Sequence, residues 1–184
     1  HVGPGPVRAR LHVKTERGER AYHKIWNTIG MIRGEKWPDE RVVVGGHRDS
    51  WSPGARDNVS GTVSVLEAAR AFATLAREGQ RPARTVVFAT WDAEEWGLIG
   101  STEWVEEHAD ELSKKAVAYL NMDSGVAGRI FGASAVPSLG RLIKEVAGEV
   151  KDPATGRSIY SVWAQEGEKV RRGNGIPFAV LNST

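Results

Sequence analysis

A chain of 184 residues with 40% hydrophobic content can bury one core of moderate size, so a single globular α/β domain over residues 1–184 is expected. Its 25 Lys and Arg against 23 Asp and Glu leave a formal net charge of +2, and the basic residues are scattered, with Arg171 and Arg172 the only adjacent arginines. That pattern argues against a nucleic-acid-binding face, and the absence of cysteine excludes a disulfide framework, a zinc ribbon and a thiol nucleophile. No apolar run approaches the ~18 residues of a membrane span, and "HVGPGPVRAR" lacks the apolar centre of a signal peptide. Both ends read as cuts through a longer protein.

In chain order, "VRARLHVKTE" alternates apolar and polar residues at Val7, Ala9, Leu11 and Val13, the pattern of a half-exposed edge strand. "WNTIGMIRG" and "RVVVGGH" read as two further strands, separated by the turn-forming "EKWPDE". From Ser60 the period becomes helical through Val63, Leu66, Ala69, Phe72 and Ala73, and Gly79 and Pro82 end that helix. "RTVVFATWD" is nearly continuous in apolar residues, as a central strand covered on both faces requires. A helix from about Ser101 into Leu112, a strand "AVAYLNMD", a helix from about Pro137 to Val150 and a last strand "IPFAVLN" complete the order. The alternation predicts a mostly parallel mixed sheet flanked by helices on both faces, a three-layer α/β sandwich.

Ligands of open α/β sheets gather beyond the carboxyl ends of the strands, so the residues that end each apolar run matter most. "VVVGG" ends in His47, Arg48 and Asp49; "TVVFATW" ends in Asp92, Ala93, Glu94 and Glu95; "AVAYLNM" ends in Asp123. Asp57 lies in the intervening loop, just before the helix that starts near Ser60. Singly, Asp57 reads as a turn or cap residue and Glu94–Glu95 as acids at a helix start. Together they repel one another unless a cation offsets them, and a histidine with several carboxylates suits zinc.

"GGHRDSW", "DNVSG", "TWDAEEWGLIGSTEW" and "YLNMDS" resemble the zinc-dependent exopeptidases of the glutamate carboxypeptidase and transferrin receptor branch, nearly end to end from "GPGPV" to "GIPFAVLN". The resemblance implies two co-catalytic zincs, with His47 and Asp123 on the first, Glu95 on the second, the Asp57 carboxylate bridging both, a cis peptide from Asp57 to Asn58, and Glu94 as general base. It further implies a peptide or peptide-like substrate, a homodimer for a full-length protein, and a location outside the cytoplasm or at the cell surface. Asp49, two residues beyond His47, would accept the histidine's other N–H as an outer-shell partner. Arg48 points the other way and suits a structural salt bridge. Most of the seven tryptophans suit packing rather than a sugar or aromatic site. The glycosylation sequons at Asn58 and Asn182 are read as chance matches, the first because it adjoins the bridging aspartate.

The chain also departs from the family. No histidine follows His108 to complete the second zinc site, and the protease-associated and helical dimerisation domains have no counterpart. Two alternatives to a zinc exopeptidase follow: a non-catalytic binding module like the transferrin receptor, and a fragment that binds metal but turns over weakly. The retained His47, Asp57, Glu94, Glu95 and Asp123 weigh against the first alternative, and the incomplete second site favours the other.

Overall fold

A computed structural model describes residues 5, 6, 8–126, 128 and 131–165. The described residues form two compact units, one within residues 1–125 and the other within 126–184.

The first unit is built on a four-stranded sheet in the order β1-β3-β2-β4, with β1 Thr28–Ile32, β2 Trp37–His47, β3 Arg84–Trp91 and β4 Ala116–Asn121. β1 runs antiparallel to β3, whereas β2 runs parallel to both β3 and β4, so the sheet is mixed and mostly parallel. β3 is an interior strand and is buried along almost its whole length, which accounts for its unbroken apolar sequence. Its side chains alternate between two cores. Val86 and Phe88 meet Val65, Ala68, Ala69 and Phe72 of α1 (Gly61–Arg77), with the Phe72 and Phe88 rings 5.8 Å apart. Val87, Ala89 and Trp91 join Val43 on the opposite face, where Trp104 of α2 (Ile99–Glu107) packs with its ring 5.2 Å from that of Trp91. The helices therefore cover both faces, as expected.

Three local expectations change. Residues 8–17 form no strand and are exposed; among the described residues no strand pairs with them, and apolar alternation without backbone partners cannot hold an extended conformation in place. β2 begins earlier than the turn residues suggest, at Trp37, with an irregularity in its pairing between Trp37 and Arg41 that accommodates Pro38 near the strand start. The helix expected from Ser101 to Leu112 is two helices, α2 and α3 (Ala109–Lys115), broken at His108. There the His108 ring packs edge-on against Trp104 at 4.9 Å, and a fresh helix start gains Asp110 and Glu111 in its first turn and Lys114 and Lys115 in its last, each at the favourable dipole end. Glu111 then anchors α3 to the sheet by two hydrogen bonds from Arg41 of β2, at 3.0 and 2.7 Å.

In the second unit, α4 (Gly140–Glu149) follows a short turn at Pro137–Leu139, and the Phe131 and Tyr160 rings meet Trp163 edge-on at 5.5 and 6.4 Å. The expected strand "IPFAVLN" and the Asn182 sequon lie outside the described residues.

The asymmetry of burial on the first unit sets a test. Val87 is 2% exposed and Val63, on the outer face of α1, is 55% exposed. Val87→Ala should lower stability by about 2 kcal/mol through lost burial and a residual cavity, while Val63→Ala should stay within about 0.5 kcal/mol of the parent. Urea denaturation of the two variants measures the difference.

Candidate metal centre

Parallel register brings the candidate residues to one edge. His47 pairs with Trp91 and Gly45 with Asn121, and the amide of Met122 donates to the Gly45 carbonyl at 2.8 Å, extending the β2–β4 pairing by a residue. The residues that follow in each strand therefore emerge side by side at the carboxyl edge of the sheet. The irregular turn Ala55–Ser60 returns Asp57 to the same edge, and the Asp57–Asn58 peptide is cis, as the resemblance implied.

His47 is the centre of the group. Its side chain is 3% exposed; Nδ1 lies 3.1 Å from the Asp49 carbonyl oxygen, while Nε2 lies 3.1 Å from Asp57 Oδ1, 3.5 Å from Asp123 Oδ1 and 3.7 Å from Glu94 Oε2. One donor atom each from His47, Asp57 and Asp123 falls within a 4.8 Å span, close enough for a shared ion. Donation from Nδ1–H to the carbonyl leaves Nε2 to face three carboxylates, so that nitrogen must either carry a proton or share a cation with them. Burial opposes the charged imidazole, yet the carboxylates of Glu94 and Asp123, with help from Asp49, prevail and hold the His47 pKa above its ordinary value. Glu94 is also held above the usual carboxylate range, first by burial and then by Asp123, Glu95 and Asp49, with His47 opposing.

The backbone turns sharply after β3, as two adjacent glutamates with different tasks would require. Ala93 takes a left-handed conformation with φ +55°, and Asp49 holds the turn from across the edge. Its Oδ1 accepts the Glu94 N–H at 3.0 Å and its Oδ2 the Glu95 N–H at 3.1 Å. This changes the expected role of Asp49. The residue does orient His47, but chiefly through its backbone carbonyl; the carboxylate, 3.5 Å from Nδ1, is occupied with the two amides. Arg48 forms the expected salt bridge, to Asp92 at 3.0 Å, and also donates to the Trp26 carbonyl. Glu95 stands outside the three-residue group.

Asn58 and Thr62 contribute to the site and were not identified from the sequence. Asn58 is fully buried and bonds to the backbone of His47, Gly61, Met122 and Ser124, and the Thr62 hydroxyl donates to the His47 carbonyl at 2.8 Å. The available signal was an asparagine just ahead of a helix start, a residue type whose side chain bonds nearby main-chain amides there, as Asn58 does to the Gly61 N–H three residues on. Its burial removes the Asn58 sequon from consideration. Of the tryptophans, Trp91 and Trp104 pack in the core, but Trp51 and Trp96 are exposed and form a tilted pair with centroids 4.8 Å apart.

A mixed sheet flanked by helices thus carries at its carboxyl edge a histidine and two aspartates that could hold a metal ion. Residues 27–172 match the model of peptidase family M28, and the chain belongs to that family. It is 48% identical over 178 residues to a probable glutamate carboxypeptidase of Arabidopsis thaliana, covering 95% of this chain and 26% of that protein. It is 44% identical over 186 residues to a probable glutamate carboxypeptidase of Arthroderma benhamiae, with 98% and 25% covered. The chain thus spans about a quarter of the length of these relatives. Among solved structures, a peptidase M28 precursor from Shewanella amazonensis is similar with a TM-score of 0.53 and 26% identity, over 77% of this chain and 34% of that one. LapA of Legionella shares the fold with a TM-score of 0.54 at 23% identity, over 76% and 42% of the two chains.

The raised His47 pKa gives a pH test on chelator-treated protein. A proton bound more tightly in the folded than in the unfolded chain stabilises the fold fully below pH 6.5, and that contribution is lost as pH rises through the folded value. The imidazole should therefore titrate with a midpoint above 6.5 by NMR, and Asp123→Asn should lower that midpoint. A midpoint at or below 6.5 in the parent protein would contradict the electrostatic account of the site.

Proposed function

We propose that this chain is the metal-bearing core of a zinc-dependent exopeptidase, with His47, Asp57 and Asp123 holding one zinc and Glu94 acting as general base. The observation that carries the reading is the buried His47 Nε2 facing Asp57, Asp123 and Glu94 within 3.7 Å. An imidazole with two carboxylates is a donor set suited to a catalytic zinc, which keeps one coordination position open. Bound zinc would supply Lewis acidity, polarising a scissile carbonyl and favouring loss of a proton from water. Asp57 would also serve a second ion together with Glu95. Since Glu95 lies outside the converged group, the site at His47 should fill first.

The residues of the chain divide the remaining work. Glu94 takes a proton from the attacking water and delivers it to the departing amine, and its raised pKa brings it nearer to neutrality, where transfer in both directions is efficient. Asp49 keeps Glu94 and Glu95 apart in direction by fixing the amides of both. The proposed substrate is a peptide or peptide-like molecule cleaved at a terminus; the names of the curated relatives support glutamate carboxypeptidase-like over aminopeptidase-like cleavage. The proposal includes action outside the cytoplasm or at the cell surface, on the family resemblance. Among the described residues no helix is long and apolar enough to cross a membrane.

Zinc content by elemental analysis, paired with an assay of terminal peptide hydrolysis, tests the reading. Glu94→Gln should lower hydrolysis by about 10²–10⁴-fold and retain zinc, because the amide keeps the shape but accepts no proton. Asp57→Ala should release the most metal of any single change, since its carboxylate is offered to both ions. Zinc bound without turnover would favour the weakly active metal-binding alternative; no zinc at all would favour the non-catalytic binding module.

A further inference from the structure

We infer that Asn58 is a positioning residue for the metal centre: its side-chain amide sets the spacing of the backbone segments that carry His47, Asp57 and Asp123. The inference rests on the metal site proposed above and assigns a determinant of its affinity.

Asn58 has no exposed surface, and its amide uses its full bonding capacity. Nδ2 donates to the carbonyls of His47 and Met122, both at 3.0 Å, and Oδ1 accepts the N–H groups of Gly61 at 3.1 Å and Ser124 at 2.9 Å. Two carbonyls on one side and two N–H groups on the other fix the orientation of the amide without ambiguity. Three of the four bonds fall on or beside a metal donor. One reaches the backbone of His47 itself, two grip the residues immediately before and after Asp123, and Asp57 is the residue preceding Asn58. The fourth ties the same group to the start of α1. A single planar group therefore connects the ends of β2 and β4 to the loop that delivers the third donor.

The surroundings are built to admit this group and little else. Gly46 and Gly61 both lie so close to the Met122 carbonyl that a Cβ on either would collide with it. The strand end, the helix start and the Met122 segment thus nest closely around Asn58. Only a primary amide supplies two donors and two acceptors in that space. Aspartate would set an oxygen against two carbonyls, and alanine would remove a partner from four backbone groups, of which the His47 carbonyl keeps Thr62 and the Gly61 N–H keeps the backbone carbonyl of residue 58.

Outer-shell groups that orient metal donors typically govern affinity by about 10–100-fold, and the same range is expected here. Zinc affinity of the protein should be measured by competition with a chromophoric chelator for the parent, Asn58→Ala, Asn58→Asp and Val87→Ala. Both Asn58 variants should bind zinc about 10–100-fold more weakly, while Val87→Ala, destabilised in the core away from the edge, should bind like the parent. Asn58→Asp is the sharper comparison. A contribution from charge alone would tighten zinc binding when a carboxylate is added, whereas loss of position weakens it. Parent-like affinity in a folded Asn58→Ala, or tighter binding in Asn58→Asp, overturns the inference. Should neither variant fold, hydrogen exchange of the Asn58 side-chain amide in the parent decides: slowing on zinc addition supports the role, and unchanged exchange overturns it. A parent protein that binds no zinc overturns the metal site itself, a result distinct from variants that bind as well as the parent.

Discussion

Parallel pairing of β2 with both β3 and β4 is the constraint on which the site depends. In a parallel ladder the carboxyl ends of neighbouring strands lie at the same edge, and the register of His47 with Trp91 and Gly45 with Asn121 makes those ends nearly level. The residue after each apolar run therefore enters a common space with its neighbours. If β4 were antiparallel, Asp123 would leave the sheet at the opposite edge from His47. The interior position of β3 and the two helical layers make the β2–β3 pairing the buried and most strongly specified part of the unit, whereas β4 is largely exposed.

The edge created in this way is electrostatically unfavourable until something positive shares it. Asp57, Glu94 and Asp123 approach one imidazole nitrogen; Glu94 and Asp123 raise the His47 pKa against the effect of burial, and Glu94 is itself raised first by burial and then by its acidic neighbours. Such a group keeps its form only on a backbone that does not relax away from it. Rigidity comes from side chains bonded to main chain rather than to each other: Asp49 to two amides of the β3 turn, Asn58 to four backbone groups, and Thr62 to the His47 carbonyl. Beyond these, Asp92 accepts from Arg48 and from the Trp26 amide, and Asn27 bonds the Asp92 amide and the Gly100 carbonyl, joining the segment before β1 to the start of α2. The order of elements thus follows the sheet, and the precision of the edge follows these polar contacts.

Much of this was legible in the amino-acid order. β3 announces itself because burial on both faces demands consecutive apolar residues, and α1 because Val63, Leu66, Ala69, Phe72 and Ala73 recur at helical spacing, although Val63 and Leu66 stay exposed and Val65 and Ala68 join Ala69 and Phe72 on the packed face. The strand ends were legible too, since an apolar run that stops in His47, Glu94 or Asp123 marks its own boundary. Local pattern misled where a partner was needed. Alternation in residues 8–17 has no neighbouring strand, and the helical run from Ser101 gave no sign that His108 would turn its ring against Trp104 and divide it.

The sequence by itself determined the layered α/β arrangement, the identity of the acids and the histidine at the strand ends, and the family whose motifs they match, because each is written in local order and residue type. The tertiary structure alone decided which of those groups converge. It brought His47, Asp57 and Asp123 within one ion's reach and left Glu95 outside, engaged the Asp49 carboxylate with two amides while the Asp49 carbonyl meets the imidazole, and buried Asn58 among four backbone partners. These outcomes depend on strand register and on contacts between residues as distant in the chain as His47 and Asp123, and a contact over such a separation has no periodicity in the chain to reveal it.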